Sequence, residues 1–148
     1  MSLRDRIQVE LKAAMLAKDA DRLSTLRLLK SAVGYAEIER KSEKLPDAEV
    51  VALVQKEIKK RRDAMEQYQS GGRPELAERE RKEIEVLETF LPQPLSAEEL
   101  ERLVAATIQE TGATNRKDMG PVIKAVQAKA AGRADGRAIS VVVGRLLP

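Results

Sequence analysis

Apolar residues recur at three- and four-residue steps along almost the whole chain, and prolines and glycines cut that pattern into pieces of single-helix length. Leu3, Ile7, Leu11 and Ala14 form a first stripe behind Ser2 and Asp5, a weak capping-box start, and it runs out near Lys18. Asp21 can cap a second helix carrying Leu23, Leu26, Leu29, Val33 and Ala36, which frays inside the charged run 37–44. At Leu45-Pro46-Asp47 the proline stops one helix and Asp47 can cap the next, with Val51, Val54, Ile58, Met65 and Tyr68 on one side. Gly71-Gly72 closes this third helix; Pro74 opens a fourth, which continues through Leu76, Ile84, Leu87 and Leu91.

Two prolines one residue apart, Pro92-Gln93-Pro94, cannot continue a helix and mark the domain boundary. Beyond them Ser96 and Glu99 make a full capping box for a helix with Leu100, Leu103, Val104 and Ile108 that ends before Gly112. A sixth helix holds Val122, Ile123 and Val126 and ends at Gly132. Residues 138–147 have strand-forming side chains, but Ile139, Val142, Val143 and Leu146 fit a helical face, Asp135 can cap it, and no partner strand is evident. The expected fold is all-α: an N-terminal bundle of about four helices in domain 1–92 and a small C-terminal three-helix domain in 93–148.

Composition narrows the chemistry. With one Phe, two Tyr and no Trp, the core is expected to be aliphatic. The absence of His and Cys removes disulfides, thiolate nucleophiles, Cys/His metal sites and every Ser-His or Cys-His arrangement. No catalytic constellation, metal site or cofactor is therefore expected. No apolar run approaches the ~18 residues of a membrane span, and the expectation is a cytoplasmic protein with no membrane partner.

The pattern most like an active site lies on the fourth helix. At 100° per residue Glu80 and Glu83 fall within the arc of Leu76, Leu87 and Leu91, and the third helix offers Arg62 on its apolar face with Arg61 at the edge. Paired carboxylates could hold a metal or do acid–base work. An ion-pair network between neighbouring helices accounts for all four residues together, and helical dimetal sites ordinarily draw on a His that this chain lacks. The structural reading is the one favoured here.

Charge is unevenly spread. Residues 113–148 carry seven Lys+Arg against two Asp+Glu, hence +5, whereas the rest has 20 against 22, hence −2. Arg116, Lys117, Lys124, Lys129, Arg133, Arg137 and Arg145 are candidate RNA-phosphate contacts, with plain solubility charge as the alternative. That segment has no aromatic residue for base stacking, so any recognition would be of backbone and shape. The run 59–62, Lys-Lys-Arg-Arg, is spread around a helical turn and screened by Glu57, Asp63 and Glu66. Gly132, Gly136 and Gly144 match no phosphate-loop spacing and are expected to be caps and turns.

Taken together, Leu26-Arg27, the run 59–68, the block 72–100 with its Leu-Pro-x-x-Leu-Ser junction, Asp118-Met119-Gly120, Ala134-Asp135-Gly136 and Ile139-Ser140 resemble the GatB/YqeY family, in particular its stand-alone YqeY-like members. The resemblance implies an all-helical protein akin to the C-terminal part of the GatB component of the tRNA-dependent amidotransferase. There the helical tail contacts RNA, and phosphorylation and amide transfer belong to a catalytic core that this chain does not contain. A carbon–nitrogen ligase activity with glutamine as amido-N-donor would thus describe the larger enzyme. Three expectations follow: a non-catalytic tRNA- or structured-RNA-binding accessory module, working with amidotransferase or aminoacyl-tRNA metabolism proteins; a ligase acting within such an enzyme; or a protein–protein adaptor.

Overall fold

The computed structural model describes residues 1–41 and 43–148; Ser42, within the charged run 37–44, lies outside the described residues. The described residues form seven α-helices and no strand: α1 Leu3–Leu16, α2 Ala20–Glu39, α3 Asp47–Ser70, α4 Pro74–Glu88, α5 Ala97–Thr111, α6 Met119–Ala130 and α7 Gly136–Leu146, with a 3-10 turn at Arg116–Asp118 before α6. The all-α expectation holds, including a helix across the β-branched segment of α7, where Asp135 accepts the Ala138 amide at 2.7 Å. The chain separates into two compact units, Met1–Leu91 and Pro92–Pro148.

In the first unit α1 to α4 bury Ile7, Leu11, Leu26, Leu29, Val33, Val50, Val54, Ile58, Ile84 and Leu87 around one core. The single Phe of the chain, Phe90, is in that core too, fully buried, so the interior is not wholly aliphatic as composition suggested. Its placement follows from the end of α4. Instead of running on to Leu91, the helix stops at Glu88 and tightens into three-residue bonds, Phe90 amide to Leu87 carbonyl and Leu91 amide to Glu88 carbonyl. Pro92 disfavours the α conformation at Leu91 and so ends the helix early. Arg6 of α1 then covers the Phe90 ring at 4.7 Å and donates to the Thr89 carbonyl.

Two caps differ from the sequence reading. Lys18 takes a left-handed conformation (φ 57°), and the chain re-enters a helix with Asp19, not Asp21, accepting the Arg22 amide at 3.2 Å. Pro46 occupies the cap position of α3, which leaves Asp47 as the first helical residue and its carboxylate free to accept the Leu3 amide at 2.9 Å. Asp47 thus satisfies one of the open donors of α1, a helix 44 residues away in sequence. Nearby, Glu37 of α2 receives Arg4 of α1 through two nitrogens and also the Leu45 amide at 3.1 Å. Arg4 holds this carboxyl below the usual glutamate range.

In the second unit α5, α6 and α7 enclose Leu100, Val104, Val122, Val126, Ile139, Val143 and Leu147, with no aromatic ring among them. The Ser96 capping box is complete: Ser96 Oγ accepts the Glu99 amide at 3.1 Å and Glu99 accepts the Ser96 amide at 3.4 Å. Gly112 supplies the left-handed cap of α5 (φ 70°). Thr107, fully buried, donates to the Leu103 carbonyl at 2.7 Å, so its hydroxyl is satisfied inside the apolar layer.

Candidate nucleic-acid interface

The seven basic residues of the C-terminal segment are spread over the 3-10 turn, α6, the loop after it and α7. Arg116 and Lys117 project from the 3-10 turn, whose Asn115 accepts the Lys117 amide at 2.9 Å and whose Asp118 accepts the Thr114 amide at 3.0 Å. Lys124 sits on α6, about 200° around the helix from the buried Val122 and hence on the side away from the core. Arg137 and Arg145 occupy the outer side of α7, two turns apart. Lys129 and Arg133 lie at the end of α6, beside α5.

Helix α5 changes the electrostatics of these cations. It carries Glu98, Glu99, Glu101 and Glu110 against one basic residue, Arg102, so the whole unit has eight Lys+Arg and six Asp+Glu, a net +2 in place of the +5 of residues 113–148. Three of the seven cations meet these acids directly: Lys129 pairs with Glu110, Arg133 with Glu99 at 3.7 Å and Arg145 with Glu101 at 3.7 Å. Arg116, Lys117 and Lys124 face solvent with no carboxylate in ion-pair reach among the described residues.

Lys129 and Arg133 also border a cleft of about 330 Å³, whose remaining walls are Leu95, Glu99, Arg102, Leu103 and Ala130. Arg102 is not among the candidates from sequence, since the charge division at residue 113 leaves α5 out. Arg133 is held in place by its own backbone and side chain: its carbonyl accepts the Leu95 amide at 2.7 Å and its Nε donates to the Gln93 carbonyl at 2.9 Å. Lys129 donates to the Thr107 hydroxyl at 3.4 Å as well as to Glu110. Glu99 is kept below the ordinary carboxylate range, first by Ser96 and further by Arg133 and Arg102.

In the first unit Arg61 joins α3 to α4. Its Nε donates to Glu83 at 3.1 Å, while its terminal nitrogen lies 3.1 Å from the Glu57 carbonyl and 3.3 Å from the Glu57 carboxylate. Glu80 adjoins this cluster, and burial followed by the charge of Glu83 pushes its carboxyl above the usual range. Arg62 is directed elsewhere and pairs with Glu88 at 3.6 Å. Arg61 is the more buried of the two, its side chain 12% exposed against 31% for Arg62, the reverse of the sequence reading. The fully buried Val50, absent from the predicted stripe, explains this: it turns the apolar face of α3 toward Arg61. Glu57 is a member of the cluster that sequence reasoning missed, one turn before Arg61 on the same face. Among the described residues, no group of three or more Asp, Glu, His or Cys is placed to hold a metal ion, and no helix is long and apolar enough to cross a membrane.

Comparison with known proteins agrees with the resemblance carried by the motifs. The altered inheritance of mitochondria protein 41, mitochondrial, of Lachancea thermotolerans is 33% identical over 111 residues, which cover 74% of this chain and 59% of that protein. An uncharacterized protein of Schizosaccharomyces pombe is 37% identical over 92 residues, 61% of this chain and 72% of that one. The Pyrenophora tritici-repentis protein of the former name is 27% identical over 133 residues, 87% of this chain and 71% of its own. The chain thus spans less than two thirds of the Lachancea protein. The model of the Yqey-like protein family matches residues 4–147, and the chain belongs to that YqeY family.

Proposed function

We propose that this protein is a non-catalytic helical module whose second unit binds tRNA or another structured RNA through backbone phosphates, as an accessory to amidotransferase or aminoacyl-tRNA metabolism. The observation that supports this reading is the exposure of Arg116, Lys117 and Lys124 without carboxylate partners. An unpaired surface cation releases a counterion when it meets phosphate, whereas one already paired with a glutamate must first give up that partner. The two compact units are, on this reading, separate domains: a body of four helices and a three-helix RNA-contacting domain.

Filter binding of tRNA at two salt concentrations tests the reading. Three phosphate contacts give a slope of log K against log salt of about −2 to −3, and replacing Arg116, Lys117 and Lys124 together by Gln flattens it. No binding at low salt, or binding indifferent to salt, rejects it. Glutamine-dependent amidation of mischarged tRNA, with and without the chain, tests the ligase alternative. The adaptor alternative has one observation of its own: Leu28, Tyr35 and Ile38 stand exposed along the outer side of α2. The cytoplasmic location belongs to this proposal, against the mitochondrial naming of the Lachancea and Pyrenophora relatives, and cell fractionation decides it.

A further inference from the structure

We propose that the cleft between α5 and α6 is a phosphate site of nucleotide size, in which Arg102 takes the phosphate, flanked by the glutamate-paired Lys129 and Arg133, and the attached body lies on Leu95, Leu103 and Ala130. At about 330 Å³ the cleft is at the small end of ligand pockets, suited to one nucleotide unit and too small for several. It presents three cations and one carboxylate. Lys129 is shared with Glu110 and Arg133 with Glu99, so their charges are largely offset, while Arg102 has no carboxylate within ion-pair distance among the described residues. The uncompensated charge is that of one guanidinium, which matches the single charge of a phosphodiester and offsets part of the charge of a mononucleotide's phosphate.

Two of the three cations are held in advance of binding. Arg133 is tied to residues 93–95 by the two hydrogen bonds to Gln93 and Leu95, and Lys129 is steered by Thr107. Such groups lose little freedom when they engage a ligand. At the end of α6 the Gln127 and Ala130 oxygens are already occupied, accepting the Ala131 and Arg133 amides. With no aromatic ring in the unit, a base would lie against leucine side chains and guanidinium planes.

Phosphate attached to a flat or apolar body is the shared chemistry, and it has two sources: a free mononucleotide, or one nucleotide unit of an RNA. The second case rests on the RNA reading above and the first does not. The test titrates the ¹⁵N-labelled full chain with AMP and, separately, with an RNA hairpin, following backbone amide shifts. The variants are Arg102→Ala, Arg102→Lys as the conservative replacement, and Lys12→Ala in the first unit as control. Expected are saturable shifts at Leu95, Glu99, Arg102, Leu103 and Arg133, at least tenfold weaker binding in Arg102→Ala, partial recovery in Arg102→Lys and none of this in Lys12→Ala. Binding of AMP without RNA supports the site with a free nucleotide as its ligand and counts against the RNA reading. RNA binding that shifts the same amides and weakens in Arg102→Ala supports the RNA source. RNA binding that Arg102→Ala leaves unchanged, with no AMP shifts in the cleft, overturns the proposal while the RNA reading stands. Absence of cleft shifts with both ligands at millimolar concentration also overturns it.

Discussion

The Leu95 amide donates to the Arg133 carbonyl at 2.7 Å, and Arg133 returns a bond from its Nε to the Gln93 carbonyl at 2.9 Å, two residues before Leu95. This reciprocal tie fastens the segment after Pro92 to the loop between α6 and α7. It gives the Leu-Pro-x-x-Leu-Ser junction a physical role: Leu95 packs against the second core, and Ser96 caps α5 one residue later. Arg133→Lys keeps the charge and the backbone bond but loses the fixed planar donor. The expected loss is about 1 kcal/mol in the second unit's stability, read from urea unfolding followed by amide resonances of Val104 and Val126.

The Arg61 cluster makes opposite predictions for two glutamates three residues apart. Glu83→Gln takes the carboxylate from a largely buried guanidinium and should cost about 1–2 kcal/mol at pH 7. Glu80→Gln should raise stability slightly at pH 7, because burial and the neighbouring Glu83 disfavour its charged form. Glu80 holds its proton more firmly folded than unfolded, so its contribution declines as pH rises from the ordinary carboxylate range through its raised native value. Chemical denaturation of both variants from pH 4 to pH 8 checks the signs.

Glu37 titrates in the other sense. Its carboxyl is held low by Arg4 and by the Leu45 amide, so the stability it supplies is complete above the ordinary glutamate value of about 4.3 and fades as pH falls through the lowered native one. Glu37→Gln should cost about 1–2 kcal/mol at neutral pH and remove this part of the acid sensitivity. A thermal-melting series between pH 3 and pH 7 that falls as steeply in the variant as in the parent would count against the assignment.

Phe90 occupies the one aromatic position of the first core. Phe90→Ala should cost about 3–4 kcal/mol, whereas Phe90→Leu refills most of the volume and should cost about 1 kcal/mol. If burial rather than the Arg6 contact dominates, Arg6→Ala lies near the smaller figure, and guanidinium melts of the three variants rank them.

Local signals in the sequence are sufficient wherever a helix end is governed by adjacent residues. Ser2, Ser96 and Asp135 cap their helices and Gly112 closes α5, all from side chains within three residues or from a missing Cβ. They fall short where a distant residue or an unmarked backbone turn decides the outcome. Nothing in the residue types around Lys18 announces a left-handed turn, so the pattern alone points to Asp21, two residues beyond the true cap of α2. Asp47 reaches α1, and α1 is not in its sequence neighbourhood. The candidate site is legible as a set of basic residues but not as a surface, because the acids that pair with Lys129, Arg133 and Arg145 are on α5, outside residues 113–148. Arg102 escapes notice for the same reason.

The purely aliphatic second core also bears on how binding to it could be observed. Tyr35, Tyr68 and Phe90 are all in the first unit, and nothing from Pro92 onward absorbs in the near ultraviolet. Near-ultraviolet dichroism of the intact chain therefore reports on the first unit alone, and binding of a nucleotide to the second would be read as a departure near 260 nm from the sum of the separate spectra of chain and nucleotide. A single tryptophan introduced in place of Leu103 would turn this optically silent unit into one that signals occupancy of the cleft directly.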